Sequence, residues 1–270
     1  MITSLHSSHV ETVKALLGSR GTKQRHETGL YVVESLQNVK SILRNSADSI
    51  ETLYFTQDGL EKLGQQDWSH VESIEVSPEV MNAMTDTVTP QGLLVVARIL
   101  KMQLNEVFEK LRKIESKLRI AYFWEIQDPG NAGTVIRAAD AFDFDLVIFS
   151  RNSVDIYSPK VVRSSAGSLW QRPLITEVDF PELLSLTADG KLQIYATTAD
   201  GLLTLSAAAE KAARESSVWI FGNEARGIPA EIITNPAIQK VSIPISERVE
   251  SLNLATAASV VMYAVNAAAK

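Results

Sequence analysis

Three stretches of this sequence carry residue types that could do chemistry, and each follows an apolar run. In the first, Gly130 and Asn131 allow the backbone to turn tightly into a helix, whose first N–H groups can bind an anion such as phosphate. Arg137 lies about two turns further along that helix and need not face the core. Taken alone, a capped helix with a solvated arginine explains this stretch more simply. Neither a Gly-x-Gly-x-x-Gly nor a Walker sequence occurs, so a dinucleotide or nucleoside triphosphate site has little support.

The second and third stretches offer backbone groups and small polar side chains. Glu224 follows a strand that ends at Gly222, in a glycine-bounded turn whose exposed amides and carbonyls could hold adenine and a sulfonium group. An ordinary surface turn is the alternative. In the third stretch, residues 240–265, an apolar run passes a proline and a polar turn and enters an alanine-rich helix. Ser251 and Asn253 stand at the start of that helix.

A regular alternation of strands and helices from Ile120 onward must position these stretches. Its strands are apolar along their length, which favours a parallel sheet covered on both faces, and such sheets bind ligands beyond the carboxyl ends of their strands. The predicted strands are Ile120–Ile126, Leu146–Phe149, Leu192–Thr197, Val218–Phe221 and Lys240–Ile243. The predicted helices are Asn131–Phe142, Pro159–Leu169, Ser206–Arg214 and Leu252–Ala269.

Residues 1–100 predict a separate, compact α/β/α unit. An apolar stripe indicates a helix over residues 9–20, and the polar residues around Lys23, Arg25 and His26 predict a basic connector. Residues 101–119 contain neither glycine nor proline and keep apolar residues on one side, so they predict an amphipathic linker helix. The domain boundary is expected there, with a second domain over residues 120–270.

Composition excludes several classes of site. The chain has no cysteine and only four histidines, none in a ligand-like pair, so neither thiolate chemistry nor a metal centre is expected. No apolar run approaches the roughly 20 residues that span a bilayer, and a soluble, cytoplasmic protein without a membrane partner is expected. The net charge is −6, yet residues 1–47 and 101–119 each carry six basic residues against three acidic ones. Charge alone favours RNA contact and solvated helix faces about equally.

Together, the three stretches resemble the SpoU (TrmH-like) family of RNA 2′-O-ribose methyltransferases, a branch of the SPOUT superfamily. The first motif of that family is similar to Asn131–Arg137 and the second to Phe221–Gly227. The third is similar to Ile243 and the following proline together with Ser251–Asn253. The match in order and spacing covers residues 120–270, and residues 1–100 resemble the small ribosomal-protein-like substrate-binding domain found in many members.

The resemblance implies a fold, a cofactor and roles for particular residues. It implies a parallel sheet with a deep trefoil knot, a homodimer, S-adenosyl-L-methionine (AdoMet) as cofactor and structured RNA as partner. The implied catalytic residues are Asn131, Arg137, Glu224 and Asn253, and the implied cofactor-binding residues are Gly222, Ile243, Ser251 and Leu252. Two positions depart from the family pattern: Ala225 stands where glycine is usual, and Glu247 where a small residue is common.

The predicted function is AdoMet-dependent methylation of a ribose 2′-OH. Ribosomal RNA is favoured as substrate, because a separate recognition domain suits a large folded target. Transfer RNA is the alternative substrate, and a knotted RNA-binding protein without catalysis is the alternative class.

Overall fold

The computed structural model describes residues 1–187 and 190–270. Internal contacts divide the chain into two compact units. The first unit comprises Met1–Leu100 and Asp155–Gln171, and the second comprises Lys101–Val154 and Arg172–Lys270. Residues 155–171 therefore group with the amino-terminal residues, although they lie between strands of the second unit along the chain.

The first unit is built on a four-stranded mixed sheet. Its strands are β1 (Leu30–Glu34), β2 (Ile50–Phe55), β3 (Ser73–Glu75) and β4 (Leu93–Arg98). They lie in the order β1-β4-β2-β3, in which β4 is antiparallel to both of its neighbours and β3 is parallel to β2. Its helices are α1 (Ser8–Leu17), α2 (Gly21–Thr28), α3 (Leu36–Asn45), α4 (Gln57–Leu63), α5 (Pro78–Met84) and α8 (Pro159–Ser164), with 3-10 turns at Ala47–Ser49 and Ser168–Trp170.

The connector predicted around Lys23, Arg25 and His26 is wrong, because α2 occupies this stretch. This helix has no apolar stripe, so hydrophobic periodicity does not reveal it. It is held by Arg25, which is only 4% exposed. The Arg25 guanidinium donates to the carbonyl of Leu16 and pairs with the Asp155 carboxylate at 2.8 Å. The helix therefore depends on a contact between residues 130 positions apart.

The segment that contains α8 is tied to β1 and α3 by polar contacts. Asn38 Nδ2 donates to the carbonyl of Val162 at 3.1 Å. The Arg163 guanidinium pairs at 3.0 Å with the carboxylate of Glu34, whose side chain is buried. The helix predicted over Pro159–Leu169 ends early, at Ser164, because Ala166 and Gly167 have φ angles of 50° and 94° that no α-helix contains.

The second unit is a seven-stranded sheet with helices. Its strands are β5 (Arg119–Phe123), β6 (Leu146–Phe149), β7 (Leu174–Ile175), β8 (Leu192–Thr197), β9 (Leu203–Thr204), β10 (Ser216–Phe221) and β11 (Ile238–Ser242). Its helices are α6 (Leu104–Ile114), α7 (Pro129–Ala141), α9 (Phe180–Ser185), α10 (Leu205–Ala212), α11 (Ala230–Ile233) and α12 (Leu254–Ala268).

The strand order is β7-β6-β5-β10-β8-β11-β9, and each neighbouring pair is parallel. The predicted parallel α/β class is thus confirmed. Its core joins the sheet to α6, where Leu104, Val107 and Phe108 are buried against the strands. The helix is shorter than the predicted linker over residues 101–119, because residues 101–103 and 115–118 lie outside it. The helices α7 and α10 both pack against α12.

Candidate active site

The loops that follow β5, β10 and β11 meet at the carboxyl edge of the parallel sheet. They contain the three stretches that the sequence indicates: residues 124–128 lead into α7, residues 222–229 lead into α11, and residues 243–253 lead into α12. Parallel pairing places the carboxyl ends of β5, β10 and β8 side by side, with β11 next to β8. Ligands of open parallel sheets bind at this edge.

Asn131 is placed by the first turn of α7. Asp128 is the N-cap of this helix, Pro129 occupies its first turn, and the Asp128 carboxylate accepts a hydrogen bond from the Asn131 backbone N–H at 2.8 Å. A carboxylate cap and an early proline both favour this helix start. The Asn131 side chain is therefore fixed at the mouth of the helix.

Glu224 binds the first loop with both of its carboxylate oxygens. Its Oε2 accepts the backbone N–H of Gln127 at 3.2 Å. Its Oε1 accepts the backbone N–H of Asp128 at 3.2 Å and the Asn131 amide at 3.1 Å. Three donors orient this carboxylate, although Glu224 is exposed. The second loop is thereby cross-linked to the first.

Asn253 joins the third loop to the same network. Its Oδ1 accepts the backbone N–H groups of Ala255 and Thr256 at 2.9 and 3.3 Å and so caps α12. Its Nδ2 donates to Asn131 Oδ1 at 3.2 Å. Because the cap fixes Oδ1 towards its own helix, the amide N–H₂ is left to face Asn131. The side chains of Asn253, Asn131 and Glu224 therefore form one continuous hydrogen-bonded chain.

Arg137 is not part of this chain. It is exposed on α7, and its side chain makes no hydrogen bond or ion pair with any residue in the described ranges. The structure thus brings together three of the four predicted catalytic residues. The guanidinium of the fourth, Arg137, is accessible to a ligand.

The predicted cofactor-binding residues also lie at the carboxyl edge. Gly222 directly follows β10 and Ile243 directly follows β11, whereas Ser251 and Leu252 precede the cap of α12. A Cβ atom on Gly222 would lie 2.5 Å from the carbonyl carbon of Gly227, so only glycine fits there without a shift of the backbone. The loop is closed by two reciprocal backbone hydrogen bonds between Asn223 and Gly227, at 3.0 and 2.9 Å.

Unpaired backbone groups of these loops suit an adenosine-like ligand. Within residues 1–187 and 190–270, the carbonyls of Glu224–Arg226 and the backbone groups of Ser251 and Leu252 have no hydrogen-bond partner. Leu252 and Ile243 are half-buried and offer apolar contact. Backbone donors and acceptors beside apolar side chains are what recognition of an adenine ring requires. The residues present therefore fit AdoMet.

Two ion pairs at this edge are not predicted by the sequence. Glu125, in the left-handed region at φ 46°, holds the Arg226 guanidinium at 2.6 Å, and its carbonyl accepts Asn223 Nδ2 at 2.7 Å. Lys240 pairs with Asp200 at 2.9 Å, and its hydrogen bond holds the pKa of Asp200 below the usual value. One signal in the sequence points to the ion pair of Lys240 and Asp200, namely the small and polar residues that directly follow β8 and indicate a loop at this edge.

No metal centre or membrane span is found in the described parts of the chain. No group of three or more histidine, aspartate or glutamate side chains there is arranged to hold a metal ion. Among the described helices, none is long and apolar enough to cross a membrane.

A solved structure shares the fold of this chain. The AdoMet-bound rRNA methyltransferase from Sinorhizobium meliloti superposes with a TM-score of 0.81 over 98% of this chain and 97% of that chain, at 24% identity. The fold is that of a SPOUT-type methyltransferase with an amino-terminal substrate-binding domain.

The chain belongs to the SpoU rRNA Methylase family, whose sequence model matches residues 118–263. The model of the MRM3-like substrate binding domain matches residues 10–95. The family predicted from the three motifs is therefore confirmed.

Two relatives illustrate the range of similarity. An uncharacterized tRNA/rRNA methyltransferase of Synechocystis is 36% identical over 194 residues, which cover 72% of this chain and 66% of that protein. The 23S rRNA (guanosine(2553)-2′-O)-methyltransferase RlmP of Bacillus subtilis is 26% identical over 242 residues, which cover 89% of this chain and 90% of that protein.

Proposed function

We propose that this protein is an enzyme that transfers a methyl group from AdoMet to a ribose 2′-OH of ribosomal RNA. The observation that carries this proposal is the hydrogen-bonded chain of Asn253, Asn131 and Glu224, which lies at the ligand-binding edge of a SpoU-family sheet. The unpaired backbone of the second and third loops supplies the cofactor side of the site. The exposed Arg137 supplies the RNA side.

AdoMet, when bound, supplies an electrophilic methyl group on a sulfonium. The protein has to orient the ribose so that its hydroxyl oxygen attacks in line with the departing sulfur, and the hydroxyl must lose its proton in the process. Arg137 is suited to hold the adjacent phosphate, because a guanidinium forms charge-assisted hydrogen bonds to phosphate oxygens and keeps its proton in proteins. The proton therefore passes to a neighbouring group or to water.

Glu224 acts in this scheme as an orienting group. Its two oxygens already accept three N–H groups, two of them from the backbone of the first loop. These donors stabilise the carboxylate and fix the Asn131 amide relative to Asn253. The reacting ribose thus meets a set of amide groups whose geometry is determined before the substrate binds.

Ribosomal RNA is the substrate that the relatives favour. The Bacillus subtilis relative that spans most of this chain is named for 2′-O-methylation of 23S rRNA. Residues 1–100 form the RNA substrate-binding domain in this proposal, residues 101–119 the linker, and residues 120–270 the methyltransferase domain. The match of residues 10–95 to a substrate-binding domain supports this division.

A homodimer, a trefoil knot in residues 120–270 and a cytoplasmic location complete the proposal. The side chains of Val260 and Tyr263, on α12, are 37% and 62% exposed. The Tyr263 ring contacts that of Phe142, which lies directly after α7. An exposed apolar face of this kind suits a second copy of the chain. Light scattering coupled to gel filtration would measure the mass of the assembly.

Methyl transfer to transcribed RNA tests the function directly. Purified protein would be incubated with tritiated AdoMet and, separately, with in vitro-transcribed 23S rRNA, 16S rRNA and a tRNA mixture. Label is expected in 23S rRNA, at a ribose that resists alkaline cleavage of the adjacent phosphodiester. If calorimetry shows no AdoMet binding and no RNA is labelled, the enzyme assignment is wrong and a non-catalytic RNA-binding role replaces it. Label in tRNA alone would overturn the choice of substrate.

A further inference from the structure

A basic cleft lies at the opposite edge of the large sheet, away from the candidate active site. It has a volume of about 350 Å³ and is formed where α6 ends and where β5, β8 and β10 begin. Six of the residues that line this cleft are charged: Arg112, Glu115, Lys117, Lys191, Arg214 and Glu215. Active sites of parallel sheets are built at the carboxyl ends of strands, so this cleft at the amino ends needs another explanation.

The cleft is positively charged on a protein whose net charge is negative. Four basic residues face two acidic ones among the described residues that line it, whereas the whole chain carries −6. One of the two acids is already engaged, because Glu215 Oε1 accepts the hydroxyl of the buried Tyr195 at 3.0 Å. Positive charges that lie together in one concavity attract polyanions over a distance comparable to the Debye length.

Part of the second basic segment of the sequence, residues 101–119, lines this cleft. Residues 101–119 carry six basic residues against three acidic ones. Arg112 and Lys117 bring two of these charges into the cleft. Two distant parts of the chain, at Lys191 and Arg214, add the others. The sequence leaves RNA contact and a solvated helix face equally open for this segment, and the structure favours RNA contact because the charges converge in one concavity.

The geometry of the cationic groups suits phosphate. The Arg112 guanidinium lies 5.4 Å from the centre of the Phe108 ring, which supports one face of its planar group. Arg214 is exposed, and its guanidinium makes no hydrogen bond or ion pair with any residue in the described ranges. Lys117 Nζ donates to the carbonyl of Ala213, the C-cap of α10. These groups can reach phosphate oxygens. Among the described residues that line the cleft, none offers an aromatic ring for stacking an unpaired base beyond the Phe108 ring already covered by Arg112.

We propose that this cleft is a second RNA-contact site, which binds backbone phosphates of the rRNA substrate without reading its bases. The proposal rests on the proposed function, because it takes RNA as the partner. β5 and β10, which pass from this edge to the active-site edge, have five and six residues, and so span about 17 and 20 Å at roughly 3.3 Å per residue. A folded rRNA is large enough to contact both edges at once.

A double substitution with a matched control tests this site. The variant Lys191→Ala/Arg214→Ala removes two charges from the cleft. The control Lys113→Ala/Lys211→Ala removes two exposed charges from α6 and α10, at positions that do not line the cleft. Binding of labelled 23S rRNA transcript would be measured from 50 to 300 mM KCl for both variants and the wild type. The melting temperature and AdoMet affinity would be measured in parallel.

The cleft variant is expected to bind rRNA roughly fivefold more weakly at 100 mM KCl, with AdoMet affinity unchanged. Two lost phosphate contacts should reduce the slope of log affinity against log salt by about 1.5. The KM for rRNA should rise at an unchanged kcat, because the site positions RNA without touching the reacting atoms. The control should retain the wild-type slope.

Two results would overturn the proposal. If the cleft variant and the control have the same salt slope, the cleft does not bind RNA. If the cleft variant melts earlier but binds rRNA normally, these charges serve the carboxyl ends of α6 and α10, where cations favourably meet the helix dipole. Neither result would contradict methyl transfer by the wild type. If the wild type itself neither binds nor methylates rRNA, the proposed function fails as well.

Discussion

The hydrogen-bonded chain at the active site makes a quantitative prediction for Asn131. In the Asn131→Ala variant, Glu224 loses a donor at 3.1 Å and Asn253 loses an acceptor at 3.2 Å. A hydrogen bond to a charged group contributes about 1.5–3 kcal/mol and a neutral one about 1 kcal/mol. Because both bonds are exposed, we take the lower end and expect a total near 2 kcal/mol. This corresponds to a roughly 30-fold loss of kcat.

Single-turnover methylation of rRNA at saturating AdoMet would measure this loss. The variants Asn131→Ala, Asn253→Ala and the double mutant form a cycle, and coupling of about 1 kcal/mol is expected for the amide pair. Asn253→Ala also removes the cap of α12 and should cost about 1 kcal/mol of unfolding free energy. The melting temperature of each variant separates that cost from the catalytic one.

An isosteric substitution sharpens the test. In Asn131→Asp, a carboxylate oxygen would take the place of the Nδ2 group that donates to Glu224 at 3.1 Å. Like charges at this distance repel each other, so this variant should be less active than Asn131→Ala. If Asn131→Asp retains wild-type activity, or if the cycle shows no coupling, the chain of side chains does not organise the site.

Three further predictions follow from single residues. Arg137→Ala should lower kcat at least 100-fold and leave AdoMet affinity within about twofold, because its guanidinium faces the RNA side; wild-type turnover would contradict this role. Gly222→Ala should weaken AdoMet binding and lower the unfolding free energy by about 1–3 kcal/mol, because the added Cβ would lie 2.5 Å from Gly227; calorimetry and chemical denaturation would measure both effects. Burial raises the pKa of Asp145, so the folded state holds the proton of this carboxyl group more tightly than the unfolded chain does. The stability of the wild type therefore falls as the pH rises from the unfolded pKa of about 3.9 through the raised pKa of the folded state. Asp145→Asn should therefore gain stability relative to the wild type across that window, and equal pH profiles of denaturation would contradict it.

Much of the second unit could be predicted from local patterns. The sequence predicts the strands Leu146–Phe149 and Leu192–Thr197 with the bounds that the structure shows. Their uninterrupted apolar runs are long enough to be strands and too short to be helices. The sequence does not predict short elements, among them β7, β9 and α11, because two to four residues carry no periodicity.

The first unit shows where local patterns fail. Nothing in the polar sequence of α2 indicates a helix, since its stability comes from the contacts of Arg25 with Leu16 and Asp155. Likewise, α8 joins this unit through Glu34 and Asn38, which precede it by more than 100 residues. Such long-range contacts leave no periodic signal in the sequence.

The sequence by itself determined the family, because each of its three motifs is a short run of glycine, amide and charged residues that can be recognised without the fold. It also determined the parallel sheet, since strands buried on both faces must be apolar throughout. Only the tertiary structure decided which side chains act together. Asn131 lies 93 residues from Glu224 and 122 from Asn253, and they meet because parallel pairing collects the carboxyl ends of distant strands at one edge. The same pairing collects the amino ends at the other edge, where it gathers the charges of the basic cleft.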